Sequence, residues 1–160
     1  MTAAPPTPCP PAAARTVRHV HAPANRLPAA LLACGCAAPL LIGAWLTPDP
    51  SGVGTHTQLG MLPCGFKVGT GLPCATCGMT TAFSHAANGD LLSAFVTQPA
   101  GAALALLCAV VVIICGYAAI AGADLSPVGR ALWRPRTILL AGGLFLAGWA
   151  YTLGVTISSM

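Results

Sequence analysis

Three cysteines carry the reactive chemistry of this sequence. Cys64, Cys74 and Cys77 lie in MLPCGFKVGTGLPCATCGMTTA, residues 61–82, packed among glycines and prolines. The Cys74-x-x-Cys77 spacing serves both dithiol–disulfide exchange and metal ligation. A metal site needs four ligands as a rule, and these cysteines supply three. His56, eight residues before Cys64, is the candidate fourth. The ion that suits such a set is zinc, and the alternative is no cofactor at all. His85 is a poorer ligand. It stands eight residues beyond Cys77 on a helical pattern, a rise of roughly 12 Å. Two donors on one zinc sit only about 4 Å apart. The plainer reading of both histidines is an exposed polar role.

Three cysteines also leave an odd thiol once one disulfide has formed. Cys64 paired with Cys74 or Cys77 would staple the loop, and the third thiol would exchange or stay buried. The other cysteines read differently. Cys34, Cys36, Cys108 and Cys115 fall in apolar runs and are expected to pack as small hydrophobes. Cys9 lies between prolines with no partner in reach.

The elements that must position the motif are helical. From Gly78 onward, Met79, Ala82, Phe83 and Ala86 recur at helical spacing, with Thr81, Ser84, His85 and Asn88 opposite them. This predicts a short amphipathic helix near 78–88, lying on the membrane surface. Cys77 then stands at a helix amino terminus, where the dipole favours a thiolate. Asn88-Gly89 ends that helix, and Asp90 can cap a second one near 91–98. Residues 47–60 are turn-forming, and residues 61–76 are expected to continue irregular, with Gly65, Gly69 and Gly71 allowing tight bends.

Everything flanking this segment reads as membrane. Hydrophobic residues make up 56% of the 160-residue chain and charged ones only 6%, which suits a polytopic membrane protein and not a soluble domain. Three uncharged runs, 27–46, 99–121 and 137–157, are each long enough to cross a hydrocarbon core of about 30 Å. Pro39 should kink the first, and Pro99 suits the start of the second. A cleaved signal or a lipoprotein signal at Cys34 fits the first run poorly. TPDPSG follows it in place of a small-residue cleavage site, and the apolar run continues well past Cys34. In the third run, Gly142, Gly143, Ala147 and Gly148 are small enough to admit a neighbouring helix.

The basic residues set an orientation. Arg15, Arg18 and Arg26 mark a Pro/Ala-rich, disordered tail over 1–26, and Arg130, Arg134 and Arg136 mark a connector over 122–136. The long interval 47–98 holds only Lys67. Both basic segments are therefore expected in the cytoplasm, with 47–98 and the carboxyl end outside, in a bacterial inner membrane. Val128, Leu132 and Trp133 suit an interfacial turn within the connector. The basic residues form no single patch, so nucleic acid is not an expected partner. The lipid bilayer is, together with other membrane proteins. No charge lies within a run, which argues against a proton relay there.

Residues 64 to 99 resemble a bacterial membrane-protein family known as domain of unknown function 2752. Its pattern has a first cysteine, then TGLPCPxCGxTRA, then GD and NP before a membrane helix. Thr70, Gly71, Leu72, Pro73, Cys74, Cys77, Gly78, Thr80 and Ala82 match, as do Gly89, Asp90 and Pro99. Gly65 and Ala75 replace family prolines, Thr81 replaces an arginine, and Gln98 replaces the asparagine. The resemblance implies a small membrane-embedded protein and supplies no reaction. The expectation is an all-α protein with three membrane spans, an interfacial helix and a cysteine-rich outer segment that serves as a structural or partner-binding platform. The alternatives are a membrane thiol–disulfide oxidoreductase using Cys74 and Cys77 with Cys64 as shuttle, passing electrons to a quinone, and a metal-handling protein.

Overall fold

The computed structural model describes residues 26–158, so the tail reading for 1–25 and Cys9 lie outside the described residues. Those described are all helix and connection, with no strand. Three long apolar helices, α1 (Arg26–Trp45), α5 (Pro99–Ala121) and α7 (Pro135–Ser158), are long and apolar enough to cross a membrane. The all-α, three-span expectation holds. Between α1 and α5 come a 3₁₀ turn (Thr55–Leu59), α2 (Gly65–Thr70), α3 (Met79–Ala87) and α4 (Leu91–Thr97); α6 (Ser126–Leu132) precedes α7.

Two spans form a tight antiparallel pair. α1 packs on α5 through small residues, with Ala29 of α1 against Cys115 and Ala118 of α5 at the end far from the cysteine motif. Without a hydrophobic driving force between helices in lipid, such close packing is what holds spans together. Cys115 serves there as a small buried hydrophobe. α1 continues unbroken through Pro39 to Trp45.

Residues 46–98 fold into a cap over the other end of this pair. α3 is wedged against α1, α4 and α5. It is not a helix lying exposed on a surface: Thr81, Ala82, Phe83 and Ser84 are all buried. The polar side that suggested solvent contact is consumed by hydrogen bonds. Thr81 Oγ1 meets Thr55 Oγ1 at 2.8 Å, and the Ser84 hydroxyl donates to the Leu46 carbonyl at 2.6 Å. Gly43 of α1 lets α3 this close, because a Cβ there would stand 3.0 Å from the Phe83 carbonyl oxygen. α2 is a second departure, a helix of six residues inside the stretch expected to be irregular. Gly71, at φ 75°, ends it by donating its N–H to the Lys67 carbonyl, a left-handed cap that glycine adopts without steric cost.

α7 attaches differently. It runs antiparallel to α5 and returns to the cap, but only Gly148 is buried along it. A Cβ on Gly148 would stand 2.7 Å from the Ala100 Cβ, whereas Gly142 and Gly143 have nothing within 4 Å. Of the small residues expected to admit a neighbour, Gly148 does so and those two glycines do not. Two side chains tie α7 to the cap: Trp149 Nε1 donates to the Pro73 carbonyl at 3.3 Å, and the Tyr151 hydroxyl donates to the Val96 carbonyl at 3.3 Å. Elsewhere the spans present large apolar side chains outward, Leu41, Ile113, Ile120 and Leu139 among them. Uncovered apolar surface on that scale needs lipid.

Candidate metal centre

Two short pieces of chain bring the cysteines together. Cys64 stands at the amino end of α2, Cys74 follows the Gly71–Pro73 turn, and Cys77 directly precedes Gly78 at the start of α3. A tight turn closes the pair, with the Cys77 N–H donating to the Cys74 carbonyl at 3.0 Å. Gly78 is required twice over. Its φ is 82°, and a Cβ on it would stand 2.9 Å from the Gly52 carbonyl oxygen. That crowding locks the start of α3 against the 47–54 loop.

The outcome is a triangle of thiols. The Sγ atoms of Cys64, Cys74 and Cys77 all lie within 4.8 Å of one another, and those of Cys74 and Cys77 are 3.3 Å apart. Thiolates on one tetrahedral zinc, bonded at about 2.3 Å, stand about 3.8 Å apart. The three sulfurs therefore fit a single thiophilic ion with little movement. Cys74 and Cys64 are half-buried and Cys77 is buried. The triangle forms part of the wall of a half-open cleft of about 470 Å³.

The thiols are electrostatically unequal. Burial pushes the Cys74 thiol up, but hydrogen bonds from the Thr76 side chain and backbone, from Cys77 and from Cys64 outweigh it, bringing Cys74 down to about 7. Burial, reinforced by the hydrogen bond with Cys74, pushes Cys77 up to about 12. The thiolate expected at Cys77 from its place at a helix start is therefore disfavoured by burial. Desolvation at Cys77 exceeds what the start of α3 offers it. Cys74, partly open and beside the Thr76 hydroxyl at 3.4 Å, is the more acidic thiol of the Cys74–Cys77 pair.

The histidines separate. His56 sits in the 3₁₀ turn and lines the cleft, but it is not one of the three residues whose donor atoms converge. His85 neither joins the converging donors nor lines the cleft, and pairs with Asp90, Nδ1 to Oδ2 at 3.4 Å. Asp90 also caps α4 by accepting from the Ser93 N–H at 3.1 Å. Thr80 lines the cleft, and Pro99 opens α5.

Gln98 was read only as a substitute for asparagine, yet it is fully buried and joins the span to the motif. Its Oε1 accepts from the Gly101 N–H, and its Nε2 donates to the Ala75 carbonyl at 3.4 Å, between the paired cysteines. The signal that could have revealed it was a lone amide directly before the proline of a membrane helix. Trp149 is the second residue missed. Its bond to the Pro73 carbonyl spans 76 positions, and nothing local in the sequence encodes it.

No curated protein and no solved structure matches the chain. Residues 64–112 match the model of the family described as "Protein of unknown function (DUF2752)", which supports the resemblance read from the cysteine motif over that segment.

Proposed function

We propose that the protein is a membrane-anchored metal-binding platform whose Cys64–Cys74–Cys77 triangle holds one thiophilic ion. The observation that carries this is the convergence of three sulfurs, two from one turn and one from the start of α2, within 4.8 Å. An ion there would tie the amino end of α2 to the start of α3 and so fix the cleft. The cap would then present that cleft to a partner, with lipid and other membrane proteins as its surroundings. The arginine distribution supports a cap on the outer side of a bacterial inner membrane, with Arg26, Arg130, Arg134 and Arg136 in the cytoplasm. Trp133 at the far end and Trp45 at the cap end are 82% and 78% exposed, which suits the two headgroup levels.

A second reading rests on the 3.3 Å separation of Cys74 and Cys77. Loss of two protons and two electrons would join these sulfurs as a disulfide and convert a lipid-soluble quinone to its quinol, with Cys64 positioned to exchange. Thiol labelling before and after reduction, together with elemental analysis of the purified protein, separates the two. One ion per chain with all three thiols masked supports the platform. A metal-free protein with an easily reduced Cys74–Cys77 bond supports the exchange reaction and overturns the platform's metal.

A further inference from the structure

Resting on the metal reading above, we infer that the triangle selects a soft, monovalent d¹⁰ cation of the copper(I) class rather than zinc. Structural zinc closes a four-ligand shell drawn from cysteine, histidine or carboxylate. Among the described residues, only three such donors converge. Carboxylates are committed elsewhere: Asp49 accepts from Ser51, Asp90 from Ser93, and Asp124 from Ser126. Among the described residues, none of the three lines the cleft.

What the cleft offers in their place is more sulfur. The described residues contain two methionines, Met61 and Met79, and both line the cleft that the cysteine triangle opens into. They reach it from different elements. Met61 lies in the loop before α2 and is 57% exposed, whereas Met79 is the first residue of α3. A thioether is a weak ligand for a hard or borderline divalent ion and a good one for copper(I). Two thioethers beside three converging thiols make a sulfur-rich wall for an ion that accepts low coordination numbers, while His56, which lines the same cleft, is not among the converging donors. Lys67 lines the same cleft and supplies positive charge. A monovalent ion on several thiolates leaves a net negative centre, which that ammonium offsets. The cleft also opens outward from the triangle, which suits an ion that enters and leaves by exchange of sulfur ligands.

The test uses the full chain, purified in detergent, reduced and metal-free. Copper(I) is titrated in competition with a chromophoric copper(I) chelator, and zinc in competition with a zinc-responsive dye. Thiolates alone bind copper(I) strongly, so the deciding readout is methionine dependence. Met61→Leu with Met79→Leu should weaken copper(I) about tenfold or more, the scale on which supporting groups act around a metal, and leave zinc unchanged. X-ray absorption at the copper edge should show a shell of sulfur only. Met61→Leu alone, at an exposed position, keeps the test open if the double variant fails to fold. A nitrogen ligand at copper, no effect of either methionine variant, or a site whose zinc affinity alone falls with His56→Ala would overturn the inference and leave the metal platform standing. A protein that binds neither ion would overturn both.

Discussion

The cap and the third span are built on opposite terms. In the cap, Thr55, Thr81, Ser84 and Gln98 are completely buried, and each is hydrogen-bonded. Among the described residues, no buried side-chain nitrogen or oxygen lacks a partner. α7 buries one glycine and leaves Leu139, Leu140 and Ile157 uncovered. The cap must hold irregular backbone together close to a membrane, where an unpaired polar group is costly. A span satisfies its own backbone and needs only lipid around it. Structure in this protein is therefore concentrated where the cysteines are.

The largest expected effect lies in chemistry that the cap performs and the spans do not. In reduced, metal-free protein, Cys74 should alkylate with a midpoint near pH 7, its thiolate fraction rising as pH rises through that value. Cys77, held up to about 12, should stay unreactive across the neutral range. Mass spectrometry of iodoacetamide adducts against pH reads both, and equal rates at pH 7 would refute the inequality.

Gln98→Leu should be the most damaging single change to the cap. It orphans the Gly101 N–H and the Ala75 carbonyl, at about 1–3 kcal/mol for each group. Thermal unfolding in detergent and proteolysis of the 61–78 loop should both show it. An unchanged melting temperature with an intact loop would mean that Gln98 does not hold the motif to α5.

Gly148→Ala comes next. Its Cβ would meet the Ala100 Cβ at 2.7 Å, so about 1–3 kcal/mol of overpacking is expected at the one buried point of α7. Gly142→Ala and Gly143→Ala add a methyl to open space and should change stability by less than about 0.5 kcal/mol. Measured side by side by thermal unfolding, the three variants sharpen the contrast. Equal costs at all three would show that α7 packs along its length.

Much of the frame was legible from composition and period. Long uncharged runs specify spans because lipid imposes length and apolarity on them locally. The helix at 79–87 was legible too, from Met79, Ala82, Phe83 and Ala86. Its environment was not. Thr81 and Ser84 look solvent-facing in a periodic pattern, and only their partners 26 and 38 residues away make them buried. Long-range partners are what periodicity leaves out. The same reason hid Gln98 and Trp149. For the cysteines, spacing brought Cys74 and Cys77 together but could not say which sulfur would be desolvated. The three-dimensional surroundings reversed the expectation drawn from the helix end alone.

The bond from Trp149 to the Pro73 carbonyl has a consequence for biosynthesis. Residues 26–121 contain α1, the cap and α5, which make the most extensive packing of the molecule. They leave the ribosome well before residue 149. The cysteine loop is therefore synthesised before the indole that bonds the Pro73 carbonyl. The Pro73 carbonyl gains this partner only when the last helix is in place. α7, the last helix made, thus contributes a late bond to the cysteine loop.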